Sequence, residues 1–161
     1  MGQSADAILF YGYVWDDEHD IFAGTDIDDD GWVAAVARRR GHADPWLNYP
    51  SVEGLTYEAQ RKIGDAWTAA NRAALDAWRD VKASVELEFA IEVFDHCSSE
   101  CRMPAVAAMR YEASRGNPVQ IDAATLTIDP AWDERLDRWF AEMGVKKPHD
   151  RPGWYLVSYW G

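Results

Sequence analysis

Between Thr56 and Val93 the apolar residues change their period, and no other feature limits the fold as much. Ile63, Trp67, Ala70, Ala74, Trp78 and Val81 recur at steps of three and four, the spacing of one helix face. Val85, Leu87, Phe89, Ile91 and Val93 then stand on one side of an alternating run, with Glu86, Glu88 and Glu92 on the other. That is the period of a half-buried strand. The sequence therefore predicts a helix over Thr56–Lys82 with Thr56 as its N-cap, then a strand over Val85–Val93. Gly64 is a weak point in the helix, costing about 1 kcal/mol relative to Ala.

The flanking segments extend this pattern. Ala7–Trp15 is a near-continuous apolar run and reads as a strand covered on both faces, with Gly12 marking a bulge or a close backbone approach. Trp32–Arg40 reads as a short helix that Gly41 closes. His42–Gly54 reads as an irregular loop pinned by its aromatic residues. After the turn His96–Arg102, the run MPAVAAMRYEA reads as a second strand, which makes a hairpin with the first. Val119–Ile121 and Thr125–Ile128 read as short strands. Asp129 caps a helix with Pro130 at its first position and Gly144 at its end. Lys146 and Lys147 then complement its dipole. Trp154–Trp160 is a last strand. The expected fold is α+β: one domain over residues 1–161, with a largely antiparallel sheet and helices packed on one face.

Composition narrows the function classes. Hydrophobic residues make up 48% of the 161, enough for a core, so disorder is not expected. The formal net charge is −12, from 16 basic and 28 acidic residues. Such a chain is repelled by nucleic acid and by anionic membranes, and favours partners with a basic surface. Two cysteines do not make a secreted disulfide framework. With no bilayer-length apolar run and no signal-peptide pattern, a cytosolic protein is expected.

Two motifs invite a metal reading. Asp26, Asp28 and Asp30 followed by Gly31 match the opening of an EF-hand loop, but Ala37 stands where its bidentate Glu belongs. The same letters serve as the start of a helix whose acids sit at its positive end and whose Arg38, Arg39 and Arg40 sit at its negative end. In DHCSSEC, His96, Cys97 and Cys101 offer three zinc ligands, yet the second cysteine pair of a structural zinc site is missing. A polar turn with two free thiols is the competing reading. There is no GxGxxG, P-loop, HExxH or G-x-S-x-G motif, so no catalytic residue and no cofactor is assigned.

What remains is charge asymmetry. Asp16, Asp17, Glu18, Asp20, Asp26, Asp28, Asp29 and Asp30 crowd into fifteen residues, flanked by aromatics that include Trp32. Charges steer encounter and aromatic residues anchor it, so these nine residues are the expected partner-binding set.

MGQSADAILFYGYVWD, ARRRGHADPWLNYP and LTIDPAWDERLDRWFAEMG…RPGWYLVSYWG resemble a group of small acidic proteins encoded by bacteriophages of actinobacteria. The resemblance covers most of the chain and carries no catalytic residue over. It implies a phage accessory protein made in a bacterial host cytosol. The expected function is binding to a host or host-defence protein with a basic surface, by occupying a nucleic-acid-binding groove. The rival readings are a small metal-dependent enzyme or metal-stabilised domain, and a virion or assembly component.

Overall fold

The computed structural model describes residues 5–16, 20–28, 31–98, 100–114 and 116–160. Along the chain come β1 (Ala5–Val14), α1 (Gly31–Arg39), a short 3-10 helix (Pro45–Asn48), α2 (Tyr57–Ala70) and α3 (Arg72–Phe89). Then follow β2 (Glu92–Ser98), β3 (Arg102–Ala113), α4 (Pro130–Met143) and β4 (Gly153–Trp160). The fold is α+β. It divides into two compact units, Met1–Asp26 with Phe89–Gly161, and Ile27–Glu88. The first is a barrel unit and the second a helical unit.

In the barrel unit the strands close in the order β1-β3-β2-β4. Three ladders are antiparallel, as the hairpin pattern implies. The fourth joins β2 to β4 in parallel, pairing Cys97 with Tyr159 and Ser98 with Trp160. Alternate residues of β1 divide the work. Ile8 and Phe10 point inward with Ala105 and Ala107, and Phe94, Tyr155 and Val157 pack against them. Phe10 meets Phe94 edge-on at 5.2 Å and stacks on Tyr155 at 5.5 Å. The alanines of β3 leave room for these rings. Gly12 sits at the expected irregularity between β1 and β3. A Cβ there would lie 1.9 Å from the Val106 carbonyl oxygen, so only glycine permits the approach.

The other face of β1 meets α4, which packs on the sheet. Tyr13 lies edge-on to Phe140 at 5.0 Å, and the Tyr11 hydroxyl donates to Asp133 at 2.7 Å. Leu136, Trp139, Phe140 and Met143 are buried, as their spacing predicts. Asp129 caps α4 by accepting from the Ala131 N–H, and Gly144 ends it in the left-handed conformation. Lys147 does not serve the dipole. It donates to Asp137, and its ammonium lies 5.7 Å from the centre of the Tyr13 ring.

Three sequence expectations fail for identifiable reasons. The run Val85–Val93 is not one strand: α3 continues to Phe89, Ala90 turns the chain at φ 48°, and β2 begins at Glu92. Val85 and Phe89 satisfy both periods, and the helical one prevails because Trp78, Val85 and Phe89 are buried together on one face. Leu87, which the alternation placed inside, is 80% exposed. The helix expected over Thr56–Lys82 breaks at Asn71, whose side-chain amide donates to the Trp67 carbonyl in competition with its own backbone N–H. Val119–Ile121 and Thr125–Ile128 form no strand. Asp122 instead gathers the Ala124 and Thr125 N–H groups and the Thr125 hydroxyl into a side-chain-closed turn. The Thr125 bonds above all hold its carboxyl below its ordinary pKa.

Candidate interaction surface

The helical unit exposes five large apolar residues between positions 46 and 57. Its α2 contains no fully buried residue. Instead one face of α2 supports a strap made by residues 45–55. The Gln60 amide donates to the Leu55 carbonyl at 3.0 Å and reaches the Val52 carbonyl at 3.4 Å. One turn on, Gly64 makes room for the Tyr49 hydroxyl, which would lie 2.9 Å from a Cβ at that position. The glycine read as a helix weakness is a seat for the strap. One turn further, Trp67 receives Trp46 at 5.0 Å and Tyr49 edge-on at 5.1 Å.

The strap is fixed at its start by a polar relay. Asp44, 4% exposed, accepts from the Trp46 N–H and so caps the 3-10 helix, with Pro45 preset at its first turn. The other oxygen of Asp44 accepts from Arg38 at 2.9 Å, and Arg38 also donates to Asp28 at 2.7 Å. The guanidinium thus compensates the buried carboxylate. Held this way, the strap and the start of α2 present Trp46 at 46% exposure, Leu47 at 72% and Tyr57 at 77%, with Tyr49 and Leu55 also exposed. From Pro45 to Gln60 there is no Lys or Arg, and Glu53 and Glu58 are exposed. The segment is therefore aromatic with two acids, and the exposed Arg61 and Lys62 follow it directly.

The expected partner-binding set is dispersed by comparison. Asp16, Asp20, Asp26 and Asp28 are exposed. Asp20 accepts from the Phe22 N–H within a local turn, and Asp28 is engaged by Arg38. Trp32 is only 8% exposed, so it belongs to the core and presents no ring to a partner. Asp17, Glu18, Asp29 and Asp30 lie outside the described residues. The RRR run forms ion pairs. Besides Arg38, Arg40 holds Glu88 through two bonds of 2.6 and 3.1 Å.

The DHCSSEC turn closes the β2–β3 hairpin. Ser98 donates its N–H to the Cys101 carbonyl, and the Cys101 N–H donates to the Ser98 hydroxyl. Cys97 and Cys101 are free thiols. His96 is 8% exposed, its Nε2 is buried without a hydrogen-bond partner, and burial lowers its pKa. His96, Cys97 and Cys101 do not converge: among the described residues no group of three or more His, Cys, Asp or Glu could hold a metal ion. Also among the described residues, no helix is long and apolar enough to cross a membrane.

The sequence reading placed the binding surface in the acidic stretch and missed the strap. The signal was present in PWLNYPSVEGLTYEAQ, where five large apolar residues share a segment with acids and no base. Such a segment in a core would carry its apolar residues at a regular period, and this one does not. Compared with known proteins, the chain matches no family model, no curated protein and no solved structure.

Proposed function

We propose that the chain acts by binding a protein, with Trp46, Leu47, Tyr49, Leu55 and Tyr57 as the anchor. One observation carries this reading: a strap that is itself capped, seated and ion-paired, together with the start of α2, exposes five large apolar side chains. Exposed aromatics on a rigid support are the pattern of interface hot spots. The partner is a protein groove that is apolar within and basic at its rim. Only Glu53 and Glu58 carry charge in the segment, and the whole chain carries −12, which steers encounter with a basic surface. In the phage setting that the terminal motifs suggest, a nucleic-acid-binding groove of a host or host-defence protein has this chemistry.

The test compares the native chain with the double variant Leu47→Ala, Tyr57→Ala as bait in an actinobacterial lysate. Affinity is then measured for the captured protein. The expected partner is basic, releases at high salt and is competed by nucleic acid. The double variant weakens it by at least about 2 kcal/mol, roughly thirtyfold. Equal binding by the variant, or a partner indifferent to salt and nucleic acid, overturns the reading.

A further inference from the structure

A second place in the molecule has the features of a small-ligand site. The barrel unit carries a cavity of about 450 Å³ lined by Ile8, Asp95, Arg102, Arg110, Glu112 and Tyr159. That volume falls within the range of small-molecule pockets. Its placement follows from strand register. Glu112 pairs with Ile8 and Arg110 with Phe10, so these two of the three charged residues of β3 take the face that Ile8 and Phe10 use for the core, while Asp95 and Arg102 reach the cavity from the end of the β2–β3 hairpin. The Arg110 and Glu112 side chains are 24% and 45% exposed, so both remain open to water and to a ligand.

The four charges are engaged unequally. Arg110 donates from Nη1 to Glu92 at 3.2 Å and from Nη2 to Glu112, and its guanidinium lies 4.6 Å from the centre of the Phe94 ring. Its side chain is 24% exposed. Arg110 is therefore a fixed strut that holds two carboxylates in place. Asp95 and Arg102 come only to 4.0 Å, too far for a hydrogen bond, with side chains 45% and 69% exposed. Glu112 uses only Oε2 toward Arg110. The cavity thus offers a donor fork on Arg102 and acceptors on Asp95 and Glu112, with the Tyr159 phenol and the Ile8 side chain beside them.

The sum of charge decides the ligand class. The two carboxylates and two guanidiniums of the lining cancel. The unit around them holds 17 acidic and 8 basic residues, a field that disfavours an anion. A simple cation would leave Arg102 facing it without a counter-charge. A neutral molecule with separated opposite charges satisfies both sides. We propose that this cavity binds a small zwitterion of the α-amino-acid class, its carboxylate on Arg102 and its ammonium on Asp95 and Glu112.

The test is calorimetric titration of the full chain with each of the free proteinogenic amino acids to about 10 mM, followed by the N-acetyl and methyl-ester derivatives of whichever binds best. The expected result is a dissociation constant of about 1 mM or tighter, with each blocked derivative at least about tenfold weaker. Arg102→Ala weakens the parent amino acid but not its ester, and Asp95→Asn weakens the parent but not the N-acetyl form. Both replacements fall on exposed side chains, and unchanged thermal unfolding shows that the fold is retained. No binding by any member of the panel overturns the proposal. So does equal binding of the blocked derivatives, or an Arg102→Ala chain with native affinity.

Discussion

The two units differ in how their exposed apolar residues are supported: the barrel unit leaves Leu156 on β4 and Val119, Leu126 and Ile128 on the segment before α4 exposed, whereas the helical unit exposes a short segment that packs on α2. In the barrel unit Phe10, Tyr13 and Trp139 have no exposed surface. In the helical unit Leu47, Tyr57 and Leu87 are among the most exposed large residues described, Trp46 is nearly half exposed, and α2 buries none completely. Charge follows the same division: 17 acidic against 8 basic residues in the barrel unit, and 11 against 8 in the helical unit. The barrel unit is thus a packed, strongly acidic body, while the helical unit is nearer neutrality and carries its apolar surface outward. Core packing explains the first pattern. The second is what the proposed partner binding would explain, because isolated exposed apolar residues are ordinary while a group supported on a fixed strap is less so.

The comparison is most exposed to a test at Phe10. Phe10→Ala should cost about 3–5 kcal/mol by leaving a cavity between Phe94 and Tyr155. Urea unfolding checks it, and a loss below about 1 kcal/mol would mean that the barrel is not the packed body described. Next in size is Asp44→Ala, which removes the cap of the 3-10 helix and a carboxylate that Arg38 holds. A loss of about 2–3 kcal/mol is expected in the same assay, with faster amide exchange at Trp46.

His96 gives a smaller, pH-dependent effect. Burial lowers its pKa in the folded chain from an ordinary value of 6.5, partly opposed by a bond to the Trp15 backbone. The unfolded chain therefore takes up a proton that the folded chain resists. Stability is complete above pH 6.5 and falls as pH drops from there toward the lowered pKa. The slope is at most about 1.4 kcal/mol per pH unit. His96→Gln should flatten the change in urea midpoint between neutral and mildly acidic pH. The smallest effect sharpens the contrast most. Leu47→Ala and Tyr57→Ala should each change stability by less than about 0.5 kcal/mol, although the proposal expects the pair to weaken binding roughly thirtyfold. A large loss of stability would return those residues to the fold.

Much of the barrel unit was legible in sequence. β1, the second strand of the hairpin, β4 and both ends of α4 follow from apolar runs and from Asp129, Pro130 and Gly144, which are local signals. The parallel pairing of Cys97 with Tyr159 was not, because it joins residues far apart in the chain and no turn between them dictates it. The end of α3 was misread because Val85 and Phe89 fit two periods, and only packing chooses between them. The candidate surfaces were less legible still. Leu47 and Tyr57 look like core residues until a structure shows them outside, and Arg110 and Glu112 look like an outer strand face until register turns them inward.

The Trp46–Trp67 pair has an optical consequence. Two indoles 5.0 Å apart, one of them nearly half in water, couple their transitions and differ in polarity of surroundings. Trp15, Trp32, Trp78 and Trp139 are shielded, so their emission is expected to lie further to the blue. A partner seated on the strap would dry Trp46 and move its emission toward theirs, so the protein reports occupancy of this surface without a label.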